Sequence, residues 1–177
     1  ITVRVDDTPT NIAGLSFDNT ATYTYNRLNN APATILPGYP GTSAAMDIVE
    51  PELTMEKTGP AQLQRGIPAV YTLDVHNIGG SPANSVTLYD LLPNQADGGT
   101  CDVAPTQFTA QVFDSTGGIA VSPVLTEGTD FTVAFLGDPD CNFTVNFLTS
   151  DAAIGADQRL ILTYEATLDI DSQEAAS

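Results

Sequence analysis

The sequence predicts an all-β fold, an antiparallel β-sandwich carrying an extended N-terminal arm. Three observations carry that expectation. Helical periodicity is almost absent, while Thr, Val and Tyr are plentiful. Turn signals recur roughly every 8–15 residues, the spacing of short strands in a sandwich. Several segments alternate with period two. Tyr71, Leu73 and Val75 fall on one face of their segment, with Thr72, Asp74 and His76 opposite. Leu160, Leu162, Tyr164, Ala166 and Leu168 share a face, as do Val86 and Leu88 with Asp90 beside them. One apolar and one polar face per strand is what an antiparallel sheet with one wet side requires.

Taken in order, the candidate strands begin with Thr2–Asp6 and Asn19–Asn26, both rich in Thr, Val or Tyr. Asp47–Glu50 and Leu53–Lys57 follow on either side of Pro51. Ala69–Asn77 and Ser85–Leu91 flank an Asn-Ile-Gly-Gly turn. Phe108–Phe113, Phe131–Phe135, Asn142–Phe147 and Arg159–Ile170 complete the set. The stretch 29–45, NNAPATILPGYPGTSAA, is dominated by Pro, Gly and small residues and reads as a linker or long loop. It divides the chain into an arm, residues 1–46, and a sandwich body, residues 47–177.

A weak internal echo links the two ends of the chain. The arm holds TVRVDDTPTNIAGLSFDNTATYTYN and the chain finishes on LTYEATLDIDSQEAAS. Each starts with a strand that runs into paired acids. The arm goes on to a further strand, DNTATYTY, which has no counterpart after Ile170. On this reading the body lacks its last strand and the arm carries a spare one. The first residue, Ile1, already lies in a predicted strand, so the chain reads as part of something longer.

Composition narrows the function. The 177 residues are enough for one substantial domain, and an apolar fraction of 42% is that of a globular protein. Five Lys and Arg against 22 Asp and Glu give a net charge of −17. Nucleic acid and anionic membrane surfaces need a basic footprint, so both are poor partners. An acidic surface fits high-salt surroundings or divalent cations and keeps neighbouring chains apart. No apolar run approaches the roughly 18 residues of a membrane span. Cys101 and Cys141 lack CxxC spacing and a His cluster; a disulfide between them or two buried thiols are the readings, and the disulfide is favoured by the extracellular signs that follow.

Between Leu53 and Pro93 the residues form a pattern: Lys57-Thr58, Gly66, Tyr71-Thr72, Asn77 with Gly79, a small-residue turn from Ser81 to Asn84, then Val86 to Pro93. This pattern resembles the conserved repeat domain of very large bacterial and archaeal surface proteins, an Ig-like unit. It is also similar to the isopeptide-forming domains of fimbrial pilins. The resemblance covers about residues 46–177. It implies tandem Ig-like modules in a stalk, adhesin, surface layer or fibre, outside the cell, with no enzyme activity on an external substrate.

Lys57, the one lysine of the chain, shares a predicted face with Leu53 and Met55 and should be buried. A lysine on an apolar face must find a partner or lose its charge. The resemblance to pilin domains implies an intramolecular amide, with Lys57 as nucleophile, Asp90 as the assisting acid and Asp169 in the place of the usual Asn. Parity opposes it, because Asp169 falls on the face of Thr163, Glu165 and Thr167, and a bulge would be needed to turn it inward. The competing reading is a Lys57–Asp90 salt bridge, or a lysine that snorkels outward at the strand end.

Acidic groups offer calcium candidates: Asp6-Asp7, Asp97 with Asp102, Asp138 with Asp140, and Asp169 with Asp171 and Glu174. Asp138 and Asp140, in the loop before Cys141, are the best of these, against a merely solvated surface. His76 is expected to be an exposed side chain on a polar face. Asn142-Phe143-Thr144 is a glycosylation sequon, more simply an unmodified strand, and the Thr- and Ser-rich arm is a candidate for O-linked sugars.

The functional expectation is a structural repeat unit of an extracellular filament, stalk or surface layer. Its partners would be copies of itself or adjacent repeats of one chain, with no nucleic acid and no membrane insertion. The arm segment Asn19, Thr20, Ala21, Thr22, Tyr23, Thr24 and Tyr25 would act as a donor strand for a neighbour's sheet. The rival expectation is an adhesin or ligand-binding module, calcium-dependent or not. It would want aromatic loops, and the loops offer mainly Tyr39 and no Trp. No nucleophile, base and orienting group come together in the sequence, so an enzyme is not expected.

Overall fold

A computed structural model describes residues 9–10, 12–26, 35–37, 41–42, 44–95 and 98–169. The chain separates into two compact units, Ile1–Glu50 and Pro51–Ser177. The predicted strand Thr2–Asp6, the acidic pair Asp6-Asp7 and Tyr39 lie outside the described residues, as do Asp97, Asp171 and Glu174.

The first unit is a long irregular hairpin. Strands β1 (Ser16–Phe17), β2 (Thr20–Ala21) and β3 (Thr24–Asn26) run out, and β4 (Ile35–Pro37), β5 (Gly41–Thr42) and β6 (Met46–Asp47) return. The pairings are antiparallel and nested: Ser16 faces Asp47, Thr20 faces Thr42 and Thr24 faces Pro37. This corrects two expectations. Residues 29–45 are not merely a linker, because 35–37 and 41–42 are strands. The strand expected at Asp47–Glu50 is Met46–Asp47, which belongs to the arm and moves the boundary to Glu50. Pro and Gly break the ladder into short pieces without abolishing it, since each piece needs only a few main-chain bonds.

The second unit is an all-β sandwich. Its strands are β7 (Leu53–Thr58), β8 (Ala69–Asn77), β9 (Thr87–Leu91), β10 (Asn94–Gln95), β11 (Gly98–Gly99), β12 (Thr106–Phe113), β13 (Phe131–Leu136), β14 (Asn142–Phe147) and β15 (Arg159–Ala166). One sheet has the order β12-β15-β8-β7 and the other β13-β14-β9, with every pairing antiparallel. A single core of Leu73, Val75, Leu88, Val112, Phe131, Phe143, Val145, Leu160, Leu162 and Tyr164 lies between them. The alternation seen in the sequence sets these inner faces. β8 and β14 span the predicted residues, whereas β15 stops at Ala166 because the Asp169 amide bonds instead to the Gly99 carbonyl, 2.8 Å away.

The two outer strands of the larger sheet are treated differently. The edge of β12 is partly covered by the following segment, whose Val121 and Leu125 amides donate to Val112 and Ala110. β7 is exposed along its whole length. The expectation that Lys57 is buried is therefore corrected. Its parity is inward, but its strand sits at an uncovered edge.

Asn77 holds the end of this edge together. Its side chain is fully buried; Oδ1 accepts from the Glu52 and Gly79 amides, both at 3.1 Å. Its Nδ2 donates to the carbonyls of Ser81 at 2.8 Å and Ile154 at 2.9 Å. The approach to β7, the turn after β8 and the loop before β15 thus meet on one amide.

Candidate functional site

The register places Lys57 opposite Leu73 on β8, so its side chain points toward the facing sheet. There its Nζ meets Asp90 of β9, 2.6 Å from Oδ1 and 2.8 Å from Oδ2. Alternation buries Leu88 and Asp90 on β9 and exposes Thr87, Tyr89 and Leu91. The Tyr164 hydroxyl donates to Asp90 Oδ2 at 2.7 Å. The ammonium lies 5.2 Å from the ring centre of Tyr71 and 5.8 Å from that of Tyr164, which stack on each other at 5.4 Å. Both rings add cation–π attraction to the ion pair. Gly59, just past β7, lies so close to the Tyr71 ring that a Cβ there would collide with it.

Asp90 is the most enclosed member, its side chain 8% exposed against 32% for Lys57. Burial first, and then the Asp90 carboxylate that it bonds, push the Tyr164 hydroxyl far above its ordinary 10.0. Tyr71 is raised too, first by burial and then by the nearby Asp90 charge. The folded state therefore holds these protons more tightly than the unfolded chain. Their contribution to stability is complete below about pH 10 and is lost as the pH rises beyond it. Tyr164→Phe should flatten that alkaline decline, read as melting temperature across a series of alkaline buffers; an unchanged slope would remove Tyr164 as its source.

Asp169 is not part of this cluster. It lies beyond β15, where its carboxylate accepts from the Asp102 amide at 2.8 Å and packs against Gly99. The structure brings Lys57 and Asp90 together and holds Asp169 elsewhere, so the amide expected from the pilin resemblance gives way to the salt bridge. Parity placed Asp169 on the outer face with Thr163 and Glu165; the structure instead buries it, 4% exposed, because the chain has left the strand by then. Replacing Lys57 by Met would strip a nearly buried carboxylate of its cation, while solvent at the half-open lysine limits the cost to about 1–2 kcal/mol. Urea unfolding of the variant would measure it, and a neutral result would mean that the pair is fully screened.

Cys101 and Cys141 form the one disulfide among the described residues, and both are buried. Asp138 accepts a 2.8 Å bond from Asn94, next to a cis peptide at Pro139. Among the described residues no three His, Cys, Asp or Glu side chains are grouped to hold a metal ion. His76 is less exposed than expected, because its Nε2 lies 3.1 Å from Asp157 and its side chain is only 20% exposed. Asn142, the sequon asparagine, is buried and donates to the Asp140 carbonyl at 3.2 Å, which leaves no room for a sugar on the folded chain. Of the proposed donor strand, Thr20 and Ala21 pair with Gly41 and Thr42 of their own arm, and Thr24 and Tyr25 pair with Leu36 and Pro37.

Sequence reasoning missed the central role of Asn77, though the Asn-x-Gly turn was its local signal. No family model, characterised protein or solved structure matches this chain.

Proposed function

We propose that this chain is a structural repeat unit of an extracellular filament, stalk or surface layer, built head-to-tail from Ig-like modules. The observation that carries the reading is the open side of the sandwich at β7 and β9, which no further strand among the described residues covers and where Leu53 and Met55 are exposed. Open edges are templates for a further strand, and proteins usually blunt or cover them. A disulfide fits an oxidising compartment, where such assemblies live. The acidic surface favours a few specific contacts over indiscriminate aggregation. The ion pair, the tyrosine stack and the Asn77 network all serve rigidity, which a module under tension needs. The resemblance of Leu53–Pro93 to surface-protein repeats agrees with this role.

Sedimentation velocity of the purified chain over a wide concentration range tests the reading. Linear species that lengthen with concentration, seen also by negative-stain microscopy, are expected. A chain that stays monomeric throughout would overturn it.

A further inference from the structure

We infer that the open side of the sandwich between β7 and β9 is an acceptor groove, and that its occupant is the Asn19–Tyr25 segment of a second copy. The inference rests on the head-to-tail reading above and names its contact.

The groove follows from register and burial. Leu53, Met55 and Lys57 lie opposite Asn77, Val75 and Leu73 and so share their inward face. Leu73, Val75 and Asn77 are 0–2% exposed, yet Leu53 and Met55 are 41% and 55% exposed. Among the described residues the facing sheet ends at β9, one strand short of covering β7. On β9 itself, Val86 and Leu92 bond across to Phe147 and Cys141 of the β14 side. By antiparallel alternation the main-chain groups of Thr87, Tyr89 and Leu91 point the other way, where no described strand pairs with them. A strand added there would satisfy those groups and roof Met55 and Leu53 together.

Charge points to the occupant. Residues 51–177 carry 3 basic and 17 acidic side chains. Residues 19–46 carry no acid and one Arg, Arg27, so this arm segment is the longest stretch of the chain that the acidic body does not repel. Within it, Asn19–Tyr25 alternates Thr with Asn, Ala and Tyr, which gives the face holding Ala21 and Tyr23 to Met55. Tyr23 is 57% exposed in the arm. The hairpin pairing itself uses one edge of each strand, β2 against β5 and β3 against β4.

The internal echo places the same strand at the same position. On leaving β15 the chain is held by Gly99 and Asp102, next to Pro93 at the end of β9. In the arm, a strand running into paired acids is followed by DNTATYTY. A strand of that sequence therefore belongs at the mouth of this groove.

Two exposed substitutions test the proposal in the full chain. Thr22→Pro removes an amide and bends the donor; Met55→Glu puts a charge in the groove. Each variant alone should remain monomeric where the natural chain associates. An equimolar mixture should form a dimer and nothing larger, because the Met55→Glu chain keeps its arm and the Thr22→Pro chain keeps its groove. That rescue also shows that both variants are folded. If the natural chain associates but the variants do so equally, or the mixture stays monomeric, the groove is overturned and the head-to-tail reading survives. If the natural chain never associates, both fall. Slow exchange of the Thr87, Tyr89 and Leu91 amides would then show that the groove is filled by its own chain.

Discussion

Asn77→Ala is expected to lower the stability of the sandwich by about 3–5 kcal/mol. The substitution removes an amide that is 0% exposed and satisfies main-chain groups from three separate segments. It strands the Glu52 and Gly79 N–H groups and the Ser81 and Ile154 carbonyls at once. Each orphaned buried group costs about 1–3 kcal/mol, and partial hydration of the Glu52 and Gly79 ends keeps the sum below the full total. Asn77→Asp divides the effect. The acceptor oxygen survives, but the donor is replaced by a carboxylate oxygen facing three carbonyl oxygens, those of Ser81, Ile154 and Gly155. Its loss should be larger at neutral pH and shrink as the new carboxyl takes up a proton. Urea denaturation followed by circular dichroism gives both values, and a loss under about 1 kcal/mol for the alanine variant would mean that water replaces the network.

Asn77 also marks the limit of what local sequence reveals. The Asn-x-Gly pattern identifies a turn, and the turn is present. Its carbonyl partner Ile154 lies 77 residues away, and nothing near either residue announces the meeting. Where burial follows directly from alternation, the reading is sharp: β8 and β14 fall on the predicted residues, and the inward parity of Leu73, Val75, Leu160 and Leu162 is visible in the bare chain. Lys57 lies between these cases. Its direction is a parity statement and was legible. Its exposure depends on how many strands the opposite sheet has, a tertiary property that no window along β7 contains.

The arm was misread for a different reason. A linker and a ribbon have similar composition when the ribbon has no core to bury. The return strands at 35–37 and 41–42 hold Pro37 and Gly41, which weaken a strand in a sheet interior but are tolerated at a ladder end. Pairing there is carried by main-chain bonds, and side-chain periodicity cannot report them. Asp169 shows the same principle at the other end. Alternation alone would have continued β15 to Ile170, but a main-chain bond to Gly99 turns the chain aside.

Removing the disulfide should cost about 3–4 kcal/mol and lower the melting temperature by about 10–15 °C. The bond closes a span of 40 residues between Cys101 and Cys141. In the chain-entropy account, cross-linking a loop of that length takes about 4 kcal/mol of freedom from the unfolded chain. The native state adds a local term. Cys101 follows the β10–β11 hairpin, and the Cys141 carbonyl accepts from Leu92 at 2.8 Å, so the bond ties the loop after β9 to the start of β14. The two contributions separate experimentally in a Cys101→Ala, Cys141→Ala double variant, which leaves no buried thiol or hydroxyl to satisfy. An effect on the unfolded chain raises amide exchange equally at all globally protected sites, such as Leu73 and Val145. A native-state effect raises it further at Asp102 and Asp169, whose amides donate to the Asp169 carboxylate and the Gly99 carbonyl and depend on the loop being held. The expected pattern is both, with the global term larger. A stability loss below about 1 kcal/mol, with exchange faster only around Asp102, would make the bond a local clip and not a staple of the unfolded chain.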